Sequence, residues 1–497
     1  MALTDGAQPD PAPFRPQLSA GRSRAAVAGV MWSAVHLALP TLVSAVVFFT
    51  GAWFLAPAEF GLFGLAAGIV TTVIAISPVG FGEALVQRPS LDPTHVDTVF
   101  GLTFGYGLLA WAGLSALAVP LASWMGEPAL AAVILVLGVK IPLDLAVAAP
   151  SALVVREMQF RALALRTLVS AGIGGSAALA MLFLGHGIWA LVASQIIASL
   201  IVLAITLRVA RWWPSGWPTM RAARALFHYG AFASGGKMLA SLRLDHILLG
   251  AFGGTALLGL FVLAQRIQQM LTMVLTGALA SVSHSLLSSL QSDREKMRRA
   301  FFIASFGAAA VGLPVFAGAA LVVDDLIRLA LSDQWAEAAT AAQWFCLLGL
   351  LSCIGSVQSS LVKANGRADH WFYYLLIQQV TTLAVIVGTY PMGLDVMIAA
   401  IVVKSYLVWP ISVWMTGRAL KMRPLRYLQS FAAPISATAV MAIAIWAVTD
   451  MTLPIGVLLP LQITAGALAY APTLFLLARG RVTELGTLLR KQKGPET

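Results

Sequence analysis

The sequence predicts an all-α, polytopic membrane protein with about fourteen transmembrane helices. Its composition, its long apolar segments and the distribution of its basic residues indicate this class. Of the 497 residues, 59% are hydrophobic and 11% are charged, and the mean hydropathy is +0.85. Soluble domains carry roughly 25% charged residues. A chain with so few charges could not cover a globule with a solvated surface, so we expect lipid to surround most of it.

The apolar segments follow one another with short linkers. A helix needs about 20 apolar residues to cross a bilayer. Fourteen segments are candidates for such helices, over residues 26–54, 61–82, 98–124, 129–151, 163–184, 187–207, 227–252, 255–283, 300–323, 338–362, 370–391, 394–416, 430–449 and 454–478. Because the linkers are short, we expect nearly the whole mass to lie in the membrane.

The basic residues orient these helices. Of the 32 Lys and Arg residues, 26 fall in alternate linkers and at the two termini, which the positive-inside rule assigns to the cytoplasm. The opposite loops hold Arg328 among acids such as Glu127 and Asp450. If one helix were missed, every later loop would be assigned to the wrong side of the membrane and the alternation would be lost. The alternation therefore supports an even number of spans. Topology then explains the net charge of +11, and no nucleic-acid partner is needed.

The chain contains a short internal repeat. Residues 54–63 and 252–261 align with an offset of 198 and match at Phe54/Phe252, Ala58/Ala256, Gly61/Gly259, Leu62/Leu260 and Phe63/Phe261. Each copy lies in the outer loop that joins the first two spans of a six-span block. Six is even, so the two blocks would enter the membrane in the same orientation, as parallel halves related by an axis along the membrane normal.

Ionisable residues within or next to the predicted spans are the candidate site residues. A charge at the bilayer centre costs roughly 2.5–3.5 kcal/mol on insertion scales, so such residues are retained where they face a bundle interior or an aqueous cavity. The candidates for a substrate-binding cavity are Lys237, Arg266, Asp245, Arg243, Lys140, Asp144, Lys404 and Glu83.

Lys237 and Arg266 lie near mid-depth in adjacent helices, and we expect them to share a cationic cavity that binds an anion such as a diphosphate. Structural ion pairs are the alternative reading, and they are favoured for Lys140 and Asp144, which lie four residues apart on one helix face. Asp245 follows Lys237 along the same stripe of its span.

Three further candidates lie closer to span ends. Arg243 and Lys404 either line the cavity or extend towards the headgroups. Glu83 is either a gating residue or an ordinary helix-end acid.

The sequence shows no catalytic constellation. The seven histidines are scattered without metal-ligand spacing, and there is no Walker loop. We therefore expect neither an enzyme nor a cofactor or metal. A membrane-embedded polymerase or acyltransferase is disfavoured because the predicted outer loops are short.

Several motifs resemble one family of transporters. They are FLAPAEFGLFGLA at 54–66, GFGEALVQR at 80–88, VREMQFRALALRTL at 155–168, LDHILLGAFGGTALLGLF at 244–261, DDLIRLALSDQWAEAA at 324–339 and LVKANGRADH at 361–370. In this order they resemble the Wzx-type oligosaccharide flippases of the multidrug/oligosaccharidyl-lipid/polysaccharide exporter superfamily. Asp245 falls on the acidic position of the family's span-seven motif, and Phe261 replaces the usual tyrosine of span eight.

The resemblance implies two six-helix lobes around a V-shaped cavity, plus two C-terminal helices. The chain then divides into a disordered cytoplasmic tail (1–24), an N-terminal lobe (25–208), an interfacial linker (209–226), a C-terminal lobe (227–417), and two extra helices with a basic cytoplasmic tail (418–497). The linker carries Trp212, Trp213 and Trp217 beside arginines, which is typical of a helix in the headgroup layer or of ordinary aromatic-belt residues.

The resemblance also implies a function in the bacterial cell inner membrane, with both termini cytoplasmic. The expected substrate is an undecaprenyl-diphosphate-linked oligosaccharide, flipped to the outer leaflet for exopolysaccharide or lipopolysaccharide synthesis. Membrane lipid, a coupling ion (proton or sodium) and a polysaccharide polymerase or co-polymerase are the expected partners. A cation-coupled multidrug exporter of the same superfamily is the alternative.

Overall fold

The computed structural model describes residues 39–88, 90–289, 293–451 and 453–492. The predicted tail 1–24, the beginning of the first predicted span and residues 493–497 lie outside these ranges. Helices of the first half are α1 (Leu39–Phe54), α2 (Pro57–Ala75), α3 (Gly80–Gln87), α4 (Pro93–Trp124), α5 (Ala129–Leu137), α6 (Lys140–Ala146), α7 (Ala148–Arg156), α8 (Phe160–Phe183) and α9 (Ile188–Ala210).

The described part of the second half contains further α-helices and two short 3-10 turns, at Asp333–Trp335 and Tyr390–Met392. Its helices are α10 (Met220–Ser241), α11 (Leu244–Ser289), α12 (Arg294–Ala330), α13 (Ala338–Ala364), α14 (Ala368–Thr389), α15 (Leu394–Leu420), α16 (Pro424–Gln429), α17 (Ala432–Thr449) and α18 (Ile455–Gln492). The predicted all-α fold class is confirmed: the described part of the chain contains no strand.

Twelve helical stretches among the described residues are long and apolar enough to cross a membrane, and α1 is a shorter apolar helix. One of the twelve, Met220–Leu275, has 56 residues and would be about 84 Å long if straight, far more than the ~30 Å hydrocarbon core. It is interrupted between Ser241 and Leu244 and again at Gly254 (φ 80°, ψ 170°). The chain is a polytopic membrane protein, and the total of fourteen spans stays a prediction.

Several predicted spans are broken rather than continuous. The predicted span 61–82 consists of most of α2, a turn around Pro78 and the beginning of α3. Proline cannot donate a helical hydrogen bond, so a turn is expected at Pro78. The predicted span 227–252 breaks at Leu242, whose backbone is extended (φ −58°, ψ 132°). The predicted interfacial linker, 209–226, overlaps α10, which begins at Met220. Trp217, which precedes this helix, is 90% exposed.

The internal repeat lies where the two halves of the chain contact each other. A Cβ added to Gly61 would lie 1.7 Å from the carbonyl oxygen of Thr255, and one added to Gly259 would lie 1.9 Å from that of Pro57. The offset of 198 residues converts the first contact into the second, because it relates Pro57 to Thr255 and Gly61 to Gly259. The repeat therefore forms a symmetric backbone contact between α2 and α11.

The main apolar core extends across this contact. It includes residues of α2, α5, α11 and α13 in one buried cluster. Trp335 is fully buried in it, packs edge-on against Phe60 and donates from its indole N–H to the carbonyl oxygen of Ala52 at 2.7 Å. Elements of both halves thus share one core at the end of the molecule that holds the repeat.

Candidate functional site

The break between α10 and α11 positions the first cation of the candidate site. At this point the amide of Arg243 donates to Thr72 Oγ1 of α2 at 3.2 Å instead of to its own helix. An unsatisfied amide is costly in a membrane, so this bond stabilises the break and joins the two halves. The side chain of Arg243 then faces two cavities, one between the halves and one within the second half.

The cavity between the halves, which we call the arginine cavity, encloses about 250 Å³. Helices α1, α2, α9 and α11 supply its lining, which includes Arg243, Arg266, His246, Gln265 and Gln269. None of the described residues that line it is Asp or Glu. Two guanidinium groups therefore face one space without a carboxylate between them.

Arg266 is held in this cavity by α1. Its Nη2 donates to Ser44 Oγ, and its guanidinium lies 5.8 Å from the centre of the Phe48 ring. Among the described residues its Nε has no hydrogen-bond partner. Arg266 follows Gly254 by about 18 Å of helix, and its mid-depth position stays a prediction. The group is anchored at one nitrogen and retains donors for a ligand.

Lys237 was expected to share a space with Arg266, but the structure places it in a different cavity. Its Nζ forms an ion pair with Glu83 Oε1 at 2.9 Å, and the two side chains are 45% and 46% exposed. This cavity encloses about 550 Å³ between α3, α7 and α10 and is also lined by Asp144. The break at Leu242 separates Lys237 from Asp245, so the predicted common stripe of the two is interrupted.

Lys140 and Asp144 form the ion pair that their spacing predicts. Lys140 Nζ lies 2.9 Å from Asp144 Oδ2. Ser199 of α9 closes the arrangement, because its Oγ accepts from Lys140 at 3.0 Å and donates to Asp144 Oδ1 at 2.6 Å. Each charged group is hydrogen-bonded, and the trio joins α6 to α9.

The remaining two candidates line a third cavity of about 580 Å³ between the end of α10 and helices α11, α13, α14 and α15. Lys404 donates to Thr382 Oγ1 at 2.7 Å and to both oxygens of Gln378 at 2.8 and 3.2 Å. It therefore points towards α14 at this cavity. Asp245 accepts from Gln265 Nε2 at 3.3 Å through Oδ2, and its buried Oδ1 has no partner among the described residues.

Sequence reasoning did not include the neutral members of these networks among the candidate site residues. Gln265 links Asp245 to His246, whose Nε2 lies 3.0 Å from Gln265 Oε1. Ser44 and Gln378 hold Arg266 and Lys404. The signal available was the unusual polarity of QRIQQ at 265–269 within an apolar span. The described residues contain no cluster of His, Cys, Asp and Glu that could hold a metal ion.

Comparisons with known proteins agree with this architecture. Lipid II flippase MurJ, in an inward closed conformation, superposes with a TM-score of 0.72 at 14% identity and covers 93% of this chain and 100% of its own. An inward-facing multidrug resistance MATE family transporter of the MOP superfamily gives a TM-score of 0.60 at 18% identity and covers 78% of this chain and 99% of its own. At such identities the likeness establishes the fold.

Sequence relatives come from polysaccharide biosynthesis. The chain is 25% identical over 336 residues to the succinoglycan biosynthesis transport protein ExoT of Rhizobium meliloti (strain 1021), covering 66% of this chain and 67% of that protein. It is 24% identical over 425 residues to the teichuronic acid biosynthesis protein TuaB of Bacillus subtilis (strain 168), covering 83% and 87%. Residues 52–340, more than half of the chain, match the family described as Polysaccharide biosynthesis protein, and this protein therefore belongs to that family.

Proposed function

We propose that this protein flips an undecaprenyl-diphosphate-linked oligosaccharide from the inner to the outer leaflet of a bacterial cell inner membrane. The observation that carries the proposal is the arginine cavity, where Arg243 and Arg266 face a space whose described lining contains no carboxylate. A diphosphate matches this site, because guanidinium groups bind phosphate oxygens in bidentate pairs. Arg243 takes the place that sequence reasoning gave to Lys237.

The location of the cavity suggests how transport proceeds. Its walls come from α1, α2 and α9 on one side and α11 on the other, so a relative movement of the two halves changes its access. In our proposal the diphosphate and sugars move through this space while the lipid tail stays in the bilayer. Arg243 also lines the larger cavity of the second half, which gives the oligosaccharide room beside the diphosphate.

The proposal also includes a coupling ion and a polymerase. A proton or sodium gradient drives the cycle, and the flipped unit passes to a polysaccharide polymerase. Membership of a polysaccharide biosynthesis family supports a role in polysaccharide synthesis.

The proposal is tested by complementing a deletion strain with the double variant Arg243→Gln/Arg266→Gln. Hydrogen bonds to charged groups contribute roughly 1.5–3 kcal/mol each, so we expect surface polysaccharide to fall more than tenfold at equal protein level. Arg328→Gln is the matched control, because Arg328 pairs with Asp324 at 3.1 Å outside the arginine cavity, and it should behave as wild type. Wild-type polysaccharide from the double variant would refute the assigned site. Drug resistance on overexpression without a polysaccharide defect on deletion would favour a multidrug exporter instead.

A further inference from the structure

A second basic cavity lies apart from the arginine cavity, where four helix ends of the second half meet. It encloses about 430 Å³ and is formed by the beginnings of α12 and α14 and the ends of α13 and α15. These ends belong to segments that the sequence predicts to be cytoplasmic. We call it the helix-end cavity, and its charged and aromatic lining residues are Arg294, Arg367, His370, Arg418, Lys421 and Trp414.

The side chains that line the helix-end cavity are mainly cationic where they are charged. None of the described residues that line it is Asp or Glu. The carboxylate of Asp369 lies 3.7 Å from His370 Nε2, and its side chain is 62% exposed. Arg367 Nη1 approaches the same imidazole nitrogen at 3.3 Å. Four permanent cations therefore face the space, and His370 adds a fifth when it is protonated.

A neighbouring basic cavity differs from the helix-end cavity because carboxylates are part of its lining. It encloses about 410 Å³ beside α12, α16 and α18 and is lined by arginines together with Glu295 and Glu484. There Arg298 pairs with Glu295 at 2.7 Å, and Arg299 pairs with Glu484. That cavity carries its own counter-ions. The helix-end cavity has a similar size, but no carboxylate in its described lining serves as a counter-ion.

We propose that the helix-end cavity binds a phosphate-bearing anion, supplied by an anionic phospholipid headgroup or as free phosphate. Basic pockets between transmembrane helices on the cytoplasmic side are suited to anionic headgroups. Trp414 at the cavity is 52% exposed, as expected of an aromatic ring at the membrane–water interface. The Arg418 guanidinium lies 5.3 Å from the centre of the Trp414 ring, a cation–π contact that holds it in place. This site is separate from the proposed transport path.

The test uses the full-length protein purified in neutral detergent. Native mass spectrometry counts bound phosphatidylglycerol and, in a parallel titration, phosphatidylcholine, while a shift of the melting temperature reports binding of inorganic phosphate. The variants are Arg294→Gln/Arg418→Gln, the charge-preserving Arg294→Lys/Arg418→Lys, and the control Arg208→Gln/Arg224→Gln. Both control arginines are exposed basic residues near the linker that do not line the cavity.

We expect phosphatidylglycerol to bind more tightly than phosphatidylcholine, and its affinity to fall about fivefold for each arginine replaced by glutamine. The affinity of the lysine variant for phosphatidylglycerol should stay within about twofold of wild type, because lysine keeps the positive charge that attracts the headgroup. The control should also stay within about twofold, because it leaves the cavity unchanged. Binding of inorganic phosphate alone, with the same dependence on Arg294 and Arg418, would support the site with a soluble ligand. The proposal would be overturned if Arg294→Gln/Arg418→Gln bound phosphatidylglycerol and inorganic phosphate as tightly as the control Arg208→Gln/Arg224→Gln does.

Discussion

Arg243 follows Lys237 by six residues, yet only Arg243 faces Arg266. Sequence reasoning identified both cations from their depth in the span, and it assumed a continuous helix in choosing between them. The extended backbone at Leu242 changes the direction in which later side chains point. Neither proline nor glycine marks this break. Because a contact with Thr72 of another helix stabilises it, local sequence could not reveal it.

The Lys237–Glu83 ion pair connects α10 of the second half to α3 of the first. We predict that Lys237→Glu lowers surface polysaccharide several-fold, because two carboxylates then face each other across the contact. The double exchange Lys237→Glu/Glu83→Lys should restore at least half of the wild-type amount, since it re-forms the pair with opposite polarity. Polysaccharide is measured at equal protein level in a deletion strain.

A suitable control is Lys296→Glu, which replaces one member of an exposed pair with Asp293 in the first turn of α12. It should leave polysaccharide unchanged. If the double exchange proved no better than Lys237→Glu, the lysine would have to act on the substrate itself rather than through Glu83.

At the scale of elements, the repeat at 54–63 and 252–261 predicted which positions correspond, but it did not predict that the copies contact each other. Corresponding positions in the two copies can be recognised in the sequence because they hold identical residues, such as Gly61 and Gly259. Contact depends on how two distant helices cross, and only the structure shows that each glycine faces a carbonyl of the other copy.

Substitution of these glycines should have equal effects because the two contacts are related by symmetry. Gly61→Ala and Gly259→Ala each place a methyl group within 2 Å of a backbone oxygen. Overpacking costs about 1–3 kcal/mol, so we expect each variant to lower the free energy of unfolding by that amount. Chemical unfolding in detergent micelles measures the change.

Gly113 in α4 provides the comparison, since a Cβ there would meet nothing within 4 Å. Gly113→Ala should raise stability by roughly 0.5–1 kcal/mol, because alanine loses less backbone entropy in a helix. A loss at Gly61 without one at Gly259 would show that the two contacts are not equivalent.

At the scale of the whole molecule, composition and hydropathy predicted the fold class well, and most described spans lie close to the apolar segments. These properties average over some 20 residues. Short interruptions, such as those between α5, α6 and α7, do not change the average. Hydropathy therefore does not detect them, although they help to direct Lys140 and Asp144 towards Ser199.

The orientation of the chain stays a prediction that cysteine labelling can test. The two native cysteines, Cys346 and Cys353, are buried, so the wild-type chain should give little background. We expect Asp450→Cys to react with a membrane-impermeant maleimide in spheroplasts, and Ser215→Cys to react only after the membrane is permeabilised. Both positions are exposed. The reverse pattern would contradict the orientation inferred from the basic residues.

The hydrogen bond from the Arg243 amide to Thr72 has a consequence for movement. A backbone amide at this depth needs a hydrogen-bond acceptor, so withdrawal of α2 requires that another oxygen accept from it. A continuous helix through residues 239–243 would provide one, the carbonyl of Leu239, through the ordinary i to i−4 pattern. If the two halves part at this level, we expect α10 and α11 to straighten into one helix, with the Arg243 amide exchanging Thr72 for the carbonyl of Leu239.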